Sequence, residues 1–314
     1  TVDDMPRMCI RKTEICMIES EAGEMQRNFI LDPDFSQGGQ LYAPEKPMTF
    51  TGNIDFMSGK ENLKPCWLLT QWNSKNDIRT VAPVRMDDEI VYENEYKKVA
   101  LSDEGVLTLG VNGTVEYDKP RKVKRDPWVH LYMEQRYAEP YPLDGIEKMK
   151  LRFSYSIPYF KDGTPAGELD PAVHASIAVF YVILMDNNPE SPAYQQFINF
   201  GLMLYDNRTA ITPESWFMDT GQNPIDATNM MIYVMDSSVY SDPIYADGKW
   251  RHVDFDPLPY FKKAFDIVQE AGSMQGSRFE DLAISSAFFG FEVSGVMDNE
   301  MKIRDIFLGT EPSK

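Results

Sequence analysis

Short stretches of alternating apolar and polar residues recur along the whole chain, and they predict β-strands. Residues suited to turns lie between these stretches, as in Asp162-Gly163 and Asp247-Gly248. Asn112-Gly113 falls between two short apolar stretches and predicts a tight hairpin. The predicted strands cover residues 8–18, 65–72, 96–102, 106–111, 128–137, 149–157, 173–186, 195–205, 230–235, 250–255, 282–293 and 301–308.

One segment, residues 258–272, has helical periodicity instead. Its apolar side chains recur at intervals of three and four residues, and Gly272 is a stop signal. A lone amphipathic helix among a dozen strands has to bury its apolar side on a sheet. The predicted strand at 173–186 is apolar on both faces near its centre, which is expected of a central strand covered on both sides. The helix is its expected cover.

These elements predict an all-β protein: a two-sheet antiparallel β-sandwich, or jelly roll, with one amphipathic helix packed on a sheet. The chain has 314 residues, which is enough for a sizeable core without disulfides or metals. It contains no long Pro-, Ser- or Gly-rich linker and no internal repeat. We therefore expect a single domain over 1–314, in which residues 1–50 form an edge or wrapping extension.

The predicted strand at 128–137 has the most unusual composition. Side chains alternate across a strand, so one face carries only apolar residues and must be the core side. The other face is too polar for a core and too aromatic for an ordinary solvated surface, and it is expected to form the floor of a cleft. This face carries Trp128, His130, Tyr132, Glu134 and Arg136.

The aromatic rings of this face could stack on a sugar ring, while its polar groups bond hydroxyls. Trp128, Tyr132 and Arg136 are therefore predicted to bind ligand, and Glu134 with His130 could act as a proton-transfer pair if the protein is an enzyme. The alternative is an exposed strand face with a cross-strand ion pair.

Four further residues are candidates for ligand binding. Gln71 and Trp72 lie at the end of an aromatic strand, and one of its two tryptophans is expected to border the site. Asn199 is on the polar side of the strand at 195–205, and Glu292 ends the run Phe288-Phe289-Gly290-Phe291-Glu292, where the glycine allows close approach of another backbone. For Glu292 the alternative is an ordinary polar strand end.

Charge narrows the range of partners. The 49 acidic and 31 basic residues give a formal net charge of −18, which disfavours nucleic acid, anionic lipid and polyanionic glycans. The one basic cluster, around Arg121, is expected to be a solvated loop. No stretch approaches the roughly 18 consecutive apolar residues of a membrane span, so no membrane insertion is expected.

Cofactor and metal motifs give no positive signal. The sequence has no nucleophile-elbow, phosphate-loop or dinucleotide pattern, and its three cysteines and three histidines lack metal-ligand spacing, so we expect no cofactor. Structural calcium at Asp32-Pro33-Asp34 or Asp298-Asn299-Glu300 is a weaker alternative to solvated turns.

Cys9 and Cys16 could pair, whereas the odd number of cysteines leaves at least one thiol free. Because the sequence begins with Thr1-Val2-Asp3-Asp4, without an initiator Met or a signal peptide, we expect a mature or trimmed exported protein; a sequence cut at an arbitrary boundary is the alternative.

Six stretches, spread over about three quarters of the chain, begin at Cys66-Trp67-Leu68, Pro127-Trp128-Val129, Phe200-Gly201-Leu202, Gly248-Lys249-Trp250, Phe289-Gly290-Phe291 and Lys302-Ile303-Arg304. They resemble segments of secreted Bacteroidetes-type jelly-roll proteins, concanavalin- or lectin-like, that are associated with polysaccharide use and are glycoside-hydrolase-like. The resemblance implies a lectin-like sandwich and a role with glycans, in a secreted, periplasmic or cell-surface location. It does not imply a reaction. The Glu-x-Asp-x-x-Glu pattern of the laminarinase-like glycosidases, which share this architecture, is missing, and this disfavours direct glycoside hydrolysis.

Three functions remain open. The first is an exported carbohydrate-binding protein that recognises an oligo- or polysaccharide. The second is a glycan-active enzyme, either a hydrolase that uses Glu134 and Glu292 or a lyase that uses His130 or a tyrosine with Arg136. The third is a cell-surface structural or interaction protein.

Overall fold

A computed structural model describes residues 17–19, 25–44, 48–56, 63–124, 126, 128–220 and 228–310. Two helices are described, α1 (Gly113–Glu116) and α2 (Leu258–Glu270). The strands are β1 Met17–Glu19, β2 Met25–Asn28, β3 Gly39–Tyr42, β4 Phe50–Ile54, β5 Trp67–Thr70, β6 Val84–Met86, β7 Glu89–Glu93, β8 Lys97–Ser102, β9 Leu107–Asn112, β10 Val129–Pro142, β11 Met149–Asp162, β12 Ser176–Asp186, β13 Phe197–Asp206, β14 Ser215–Met218, β15 Met231–Val234, β16 Arg251–Phe255, β17 Leu282–Val293 and β18 Met297–Thr310.

The strands form two sheets of nine. Sheet A has the order β1-β2-β18-β9-β8-β7-β6, with β11 pairing β18 and β16 pairing β11. Sheet B has the order β14-β15-β13-β12-β17-β10-β5-β3-β4. Pairing is antiparallel except for β13 with β15 and β3 with β5, which are parallel. The predicted two-sheet sandwich is therefore confirmed, with two parallel pairs that the sequence patterns did not indicate.

The core lies between the sheets and follows the alternation of side chains along each strand. Phe153 of β11 stacks on Phe180 of β12 with ring centroids 4.8 Å apart, and Phe180 stacks in turn on Phe289 of β17. Along β12 the opposite side is also apolar, because Val179 and Tyr181 belong to a second buried cluster on the far face of sheet B. Both faces of β12 are therefore buried, as predicted.

Helix α2 buries the apolar stripe that its periodicity predicts, but in a different place from the one expected. Phe261 meets Phe200 of β13 edge-on at 4.8 Å, so the helix lies on the core face of sheet B near β13 and β15. It was expected to cover β12. The polar strand β10 belongs to this same sheet, and its unusual face lies on the side away from the helix.

One local prediction is wrong, and a second holds only in part, because Lys119, Lys122 and Lys124 of the basic cluster are exposed, as expected, and Arg121 is not. Asn112-Gly113 does not form a hairpin, because residues Gly113–Glu116 make one helical turn whose Glu116 carboxylate is buried against the ammonium of Lys97. Arg121, at the centre of the basic cluster, is not solvated, since its guanidinium donates to backbone carbonyls, including that of Val173 at 2.7 Å. Cys9 and Cys16 lie outside the described residues, and the single-domain organisation of 1–314 stays a prediction.

Candidate functional site

The outer face of sheet B, the side away from the sandwich core, carries the polar row of β10. Leu131 and Met133 point into the core, as predicted. Tyr132 points the other way and is only 7% exposed, within the second buried cluster, against which Trp128 also packs. The predicted division of this strand into a core side and a polar, aromatic side is confirmed.

Strand register brings Glu292 into this row. Glu292 of β17 lies opposite His130, and Gly290 lies opposite Tyr132. The Tyr132 hydroxyl donates a hydrogen bond of 2.5 Å to Oε1 of Glu292. Gly290 has φ +147°, and a Cβ built there would lie 2.0 Å from the carbonyl oxygen of Leu131. The predicted close approach of another backbone at this glycine is therefore present, and it sets β17 tightly against β10.

Three aromatic rings line the middle of the face. Tyr132 meets Phe288 with centroids 5.1 Å apart, and Phe288 meets Tyr181 of β12 at the same distance. Tyr181 needs the space left by Gly201, where a Cβ would come within 2.6 Å of the ring. Burial raises the pKa of both tyrosines well above the ordinary value, and the nearby charge of Glu292 adds to the effect. Both phenols therefore stay neutral over the physiological pH range.

Glu134 and Arg136 form a two-pronged ion pair on the same strand. Arg136 Nε donates to Oε1 of Glu134 at 2.6 Å, and Nη2 donates to Oε2 at 3.0 Å. Burial alone would lower the pKa of Arg136, but the charge of Glu134 and its hydrogen bonds raise it. Glu134 is thereby held by arginine, so the expected proton-transfer pair of Glu134 with His130 gains no support from this geometry.

A second pair of the same kind flanks Glu292. Asp206 lies in one cross-strand row with Glu292, separated by Ile177 of β12. Arg208 binds both carboxylate oxygens of Asp206, at 2.8 and 2.7 Å. The hydrogen bonds that Arg208 donates to Asp206 raise the pKa of Arg208, and the charge of Glu292 contributes in the same direction. Sequence reasoning missed this pair, although its spacing of two residues, the same as that of Glu134 and Arg136, was a usable signal.

The tryptophan end of the face is fixed by backbone contacts. The His130 amide donates to the carbonyl of Trp72 at 3.0 Å, and the His130 ring stacks on Tyr132 with centroids 5.3 Å apart. The guanidinium of Arg121 lies 5.6 Å from the ring centre of Trp128, within the range of a cation–π contact. Trp67 is the core tryptophan of the pair, and Trp72 packs against the outer cluster, as predicted.

The last two candidates differ in position. Asn199 lies on the outer face opposite Ile183, and its amide donates weakly to a backbone carbonyl of β15 at 3.4 Å. Gln71 is not brought to this face. It is fully buried, its amide donates to the carbonyl of Tyr42, and its oxygen accepts from the amide of Ile78. Gln71 therefore holds two buried backbone segments together through hydrogen bonds and does not present a group to a ligand.

No group of three or more His, Cys, Asp or Glu side chains among the described residues could hold a metal ion. Of the two acidic segments, the first lies in a loop, where Asp32 accepts from the Ser36 hydroxyl and the Gln37 amide. The second lies in strand β18 and not in the solvated turn that was expected, and its Asp298 is buried and accepts from Thr114. None of the helices in the described part of the chain is long and apolar enough to cross a membrane.

No family model matches the sequence, and no curated protein matches it. Similar solved structures include the family 12 xyloglucanase from Bacillus licheniformis, at 9% identity and TM-score 0.40 over 74% of this chain and 97% of that one. A cellulase derived from Cel12A of Rhodothermus marinus has 13% identity and TM-score 0.38 over 78% and 99% of the two chains. The xyloglucanase domain of NopAA from Sinorhizobium fredii, in complex with cellobiose, has 11% identity and TM-score 0.36 over 75% and 100%.

These values describe a distant structural similarity to glycoside hydrolases. The Bacteroidetes source and the export implied by the sequence resemblance stay predictions. The outer face carries an aromatic floor bordered by neutral phenols, one carboxylate and two ion pairs. In each closed ion pair the arginine binds both oxygens of its carboxylate. Such a floor can pack against the apolar face of a ring while its polar groups exchange hydrogen bonds with hydroxyls.

Proposed function

We propose that the chain is a carbohydrate-binding protein whose site is the outer face of sheet B. The observation that carries the proposal is the contact cluster of Tyr132, Phe288 and Tyr181, bordered by Glu292 and by the Glu134–Arg136 pair. A sugar ring presents C–H groups on its faces and hydroxyls around its edge. An aromatic floor with oriented acceptors and donors at its border complements both parts.

The ligand that fits best is an uncharged glycan. Of the arginines at the described face, Arg136 and Arg208 are each bound through two hydrogen bonds to their own carboxylate, and Arg121 donates to backbone carbonyls. A uronate would have to displace Glu134 or Asp206 to reach either guanidinium, while Glu292 would repel it. Sugar hydroxyls need no counter-charge, so the closed pairs can accept hydrogen bonds without being broken.

The same pairing disfavours glycoside hydrolysis, the second function considered. Glu134 and Glu292 are offset by four residues along the paired strands, or about 13 Å. Hydrolysis by two carboxylates needs them about 5–10 Å apart. Arg136 holds Glu134 on the side away from Glu292. Asp206 lies nearer to Glu292 but has both oxygens bound by Arg208.

The test is isothermal calorimetry of the purified chain with neutral and uronic oligosaccharides, beginning from a glycan array. We expect binding of a neutral glycan and at least about a tenfold loss, or about 1.4 kcal/mol, for Trp128→Ala and for Glu292→Gln. Trp250→Ala is the matched control, because Trp250 is also half-buried, with the guanidinium of Arg304 4.6 Å from its ring centre, but directly precedes β16 of sheet A. It should bind as the wild type does.

Each outcome has a separate meaning. Equal losses for Trp128→Ala and Trp250→Ala would place the site elsewhere, and absence of binding to every glycan would favour an interaction with another protein. Release of reducing ends by the wild type, lost in Glu292→Gln, would establish an enzyme. The protein would meet such a glycan outside the cytoplasm. Export from the cytoplasm is therefore part of the proposal.

A further inference from the structure

The outer face of sheet A, on the opposite side of the molecule from the proposed carbohydrate site, carries a group of basic and polar side chains. Phe153 of β11 points into the core, so Arg152 and Ser154 on either side of it point outward. Ser154 lies opposite His252 of β16 on one flank and opposite Arg304 of β18 on the other. Residues directly opposite each other on antiparallel strands share a face, so the three strands bring two arginines, a serine and a histidine together.

The serine and the histidine of this group are joined by a hydrogen bond. Ser154 Oγ lies 2.9 Å from Nδ1 of His252. Ser154 is only 8% exposed, whereas the side chains of His252 and Arg152 are exposed. A small ligand that reaches the hydroxyl therefore also meets the longer side chains around it.

Arg304 is held in place by a tryptophan. Its guanidinium lies 4.6 Å from the ring centre of Trp250, which directly precedes β16. Since β11 lies between β16 and β18, the two side chains meet above the outward side chains of β11. A cation–π contact uses the face of the guanidinium and leaves its N–H edge available. Nε of Arg304 is buried and makes no hydrogen bond with a described residue, and the carboxylate of Asp305 is 3.5 Å from it.

Arg152 has no ion pair with any residue that the structure describes. Its guanidinium lies 5.8 Å from the ring centre of Phe307. Asp254 lies opposite Arg152 on β16, but its carboxylate pairs with Nζ of Lys150 at 3.1 Å. The arginines of the two ion pairs on sheet B have both donor groups occupied by a carboxylate, whereas the arginines of this group do not.

The local charge differs in sign from that of the whole chain. The chain has a formal net charge of −18, so its surface as a whole repels anions. Around Ser154, by contrast, four outward basic side chains accompany two acidic ones. The basic residues are Lys150, Arg152, Lys302 and Arg304, and the acidic ones are Asp254 and Asp305. This local excess of positive charge favours a small anion here over the rest of the surface.

We propose that this part of sheet A binds a tetrahedral oxyanion, a phosphate or sulfate group, with Arg152 and Arg304 as its charged ligands. The inference goes beyond carbohydrate binding and uses the other sheet. Donors from three strands suit the four oxygens of a tetrahedral group better than the two oxygens of a planar carboxylate. When Nδ1 of His252 donates to Ser154 Oγ, the hydroxyl hydrogen is available to the anion.

The test is calorimetry of the purified chain with inorganic phosphate, sulfate and acetate at constant ionic strength. Phosphate or sulfate should bind saturably at one site per chain, and acetate at least about tenfold more weakly. Arg304→Gln and Arg152→Gln should each weaken binding by about tenfold or more, and Ser154→Ala by about three- to tenfold. Lys98→Gln is the matched control, because it removes a positive charge from the same face, but from a side chain that Glu300 pairs at 3.2 Å. It should change the affinity by less than about twofold.

Two further variants and ligands make the result specific. Arg304→Lys keeps the charge but loses the two-pronged donor, and it should still weaken binding by about threefold or more. Arg304 covers Trp250, so its variants are compared at equal thermal midpoints; Arg152→Gln, at an exposed position, decides the matter if they unfold. A sugar phosphate distinguishes the sources of the group: tighter binding than inorganic phosphate indicates a phosphate carried on a larger ligand, and weaker binding indicates the free ion.

The outcomes that contradict the proposal are distinct from those that concern sheet B. Absence of saturable binding of phosphate and sulfate up to about 10 mM would overturn it. Equal losses for Lys98→Gln and Arg304→Gln would overturn it as well, because they would show a diffuse effect of charge. Acetate that binds as tightly as phosphate would overturn the assignment of a tetrahedral ligand. Binding of a neutral glycan should be unchanged in all of these variants, so either proposal can fail without the other.

Discussion

The hydrogen bond from Tyr132 to Glu292 allows a direct test of the geometry of the site. Replacing Tyr132 by Phe removes only the hydroxyl that donates to Glu292 at 2.5 Å and leaves the ring against Phe288 in place. A hydrogen bond to a charged group contributes about 1.5–3 kcal/mol when one partner is lost. Because Tyr132 is 7% exposed, water can replace the lost donor only in part, so we expect an effect within this range.

The expected shift in melting temperature follows from the size of the chain. At about 2.1 cal/mol/K per residue, unfolding 314 residues carries an entropy of about 0.66 kcal/mol/K. Loss of 1.5–3 kcal/mol then lowers the midpoint by about 2–5 °C. The matched control is Tyr181→Phe, which removes a phenol from the same floor but not the one that bonds Glu292, and it should lower the midpoint by less.

A double-mutant cycle with Glu292→Gln isolates the interaction. Calorimetric and urea unfolding of the two single variants and of the double variant should give a coupling of about 1–2 kcal/mol, because the two groups share one bond. Additive effects, or equal midpoints for Tyr132→Phe and Tyr181→Phe, would refute the bond and with it the orientation of Glu292 on which the proposed site depends.

Three further predictions concern stability. Lys97→Ala should lower the free energy of unfolding in urea by about 3–5 kcal/mol, because it leaves the buried Glu116 carboxylate without its cation. Lys98→Ala is the control, and it should lower the same quantity by under about 1 kcal/mol, because the ion pair of Lys98 with Glu300 is partly exposed. Equal losses for the two variants would contradict the reasoning. Burial raises the pKa of Asp32 to about 7, so the native state binds more protons than the unfolded state between about pH 4 and 7, and this residue's contribution to stability falls as the pH rises through that window. Thermal scans from pH 5 to 8 should show this loss in the wild type relative to Asp32→Asn, and parallel profiles would exclude it. Gly290→Ala should cost about 2 kcal/mol or more in urea unfolding, since its Cβ would lie 2.0 Å from a carbonyl oxygen of β10; a neutral effect would show that the two strands are not so close.

The local part of the site could be predicted from the sequence because side-chain alternation is a property of a single strand. The polar row of β10 could be assigned to one face because side chains alternate with a period of two and the other face is apolar. Helix α2 was likewise predicted from the spacing of five apolar residues, all of which are buried. In both cases the signal lies within about a dozen consecutive residues.

The pairing of distant strands could not be predicted in this way. Glu292 lies opposite His130 and not opposite Glu134 because of the register between β10 and β17, which are more than a hundred residues apart. Ala178 pairs with Tyr205 and Val179 pairs with Met203, so β13 has a bulge between these two partners. The bulge turns Tyr205 toward the core, whereas strict alternation would place it on the polar side. Register and bulges depend on tertiary packing, and a shift of one residue reverses every side chain.

The ion pairs of the outer face argue for recognition rather than reaction. Burying a charge without a partner is costly, so a buried position can hold an acidic residue only if its charge is compensated. Glu134 and Asp206 are compensated by arginines two residues away, and Glu292 receives the phenol of Tyr132. A hydrolase requires one carboxyl group free to exchange a proton and a second free to attack or to activate water. Here two of the three carboxylates have both oxygens occupied, which fixes them as oriented acceptors. That arrangement suits a surface that must discriminate hydroxyl patterns without changing its own protonation state.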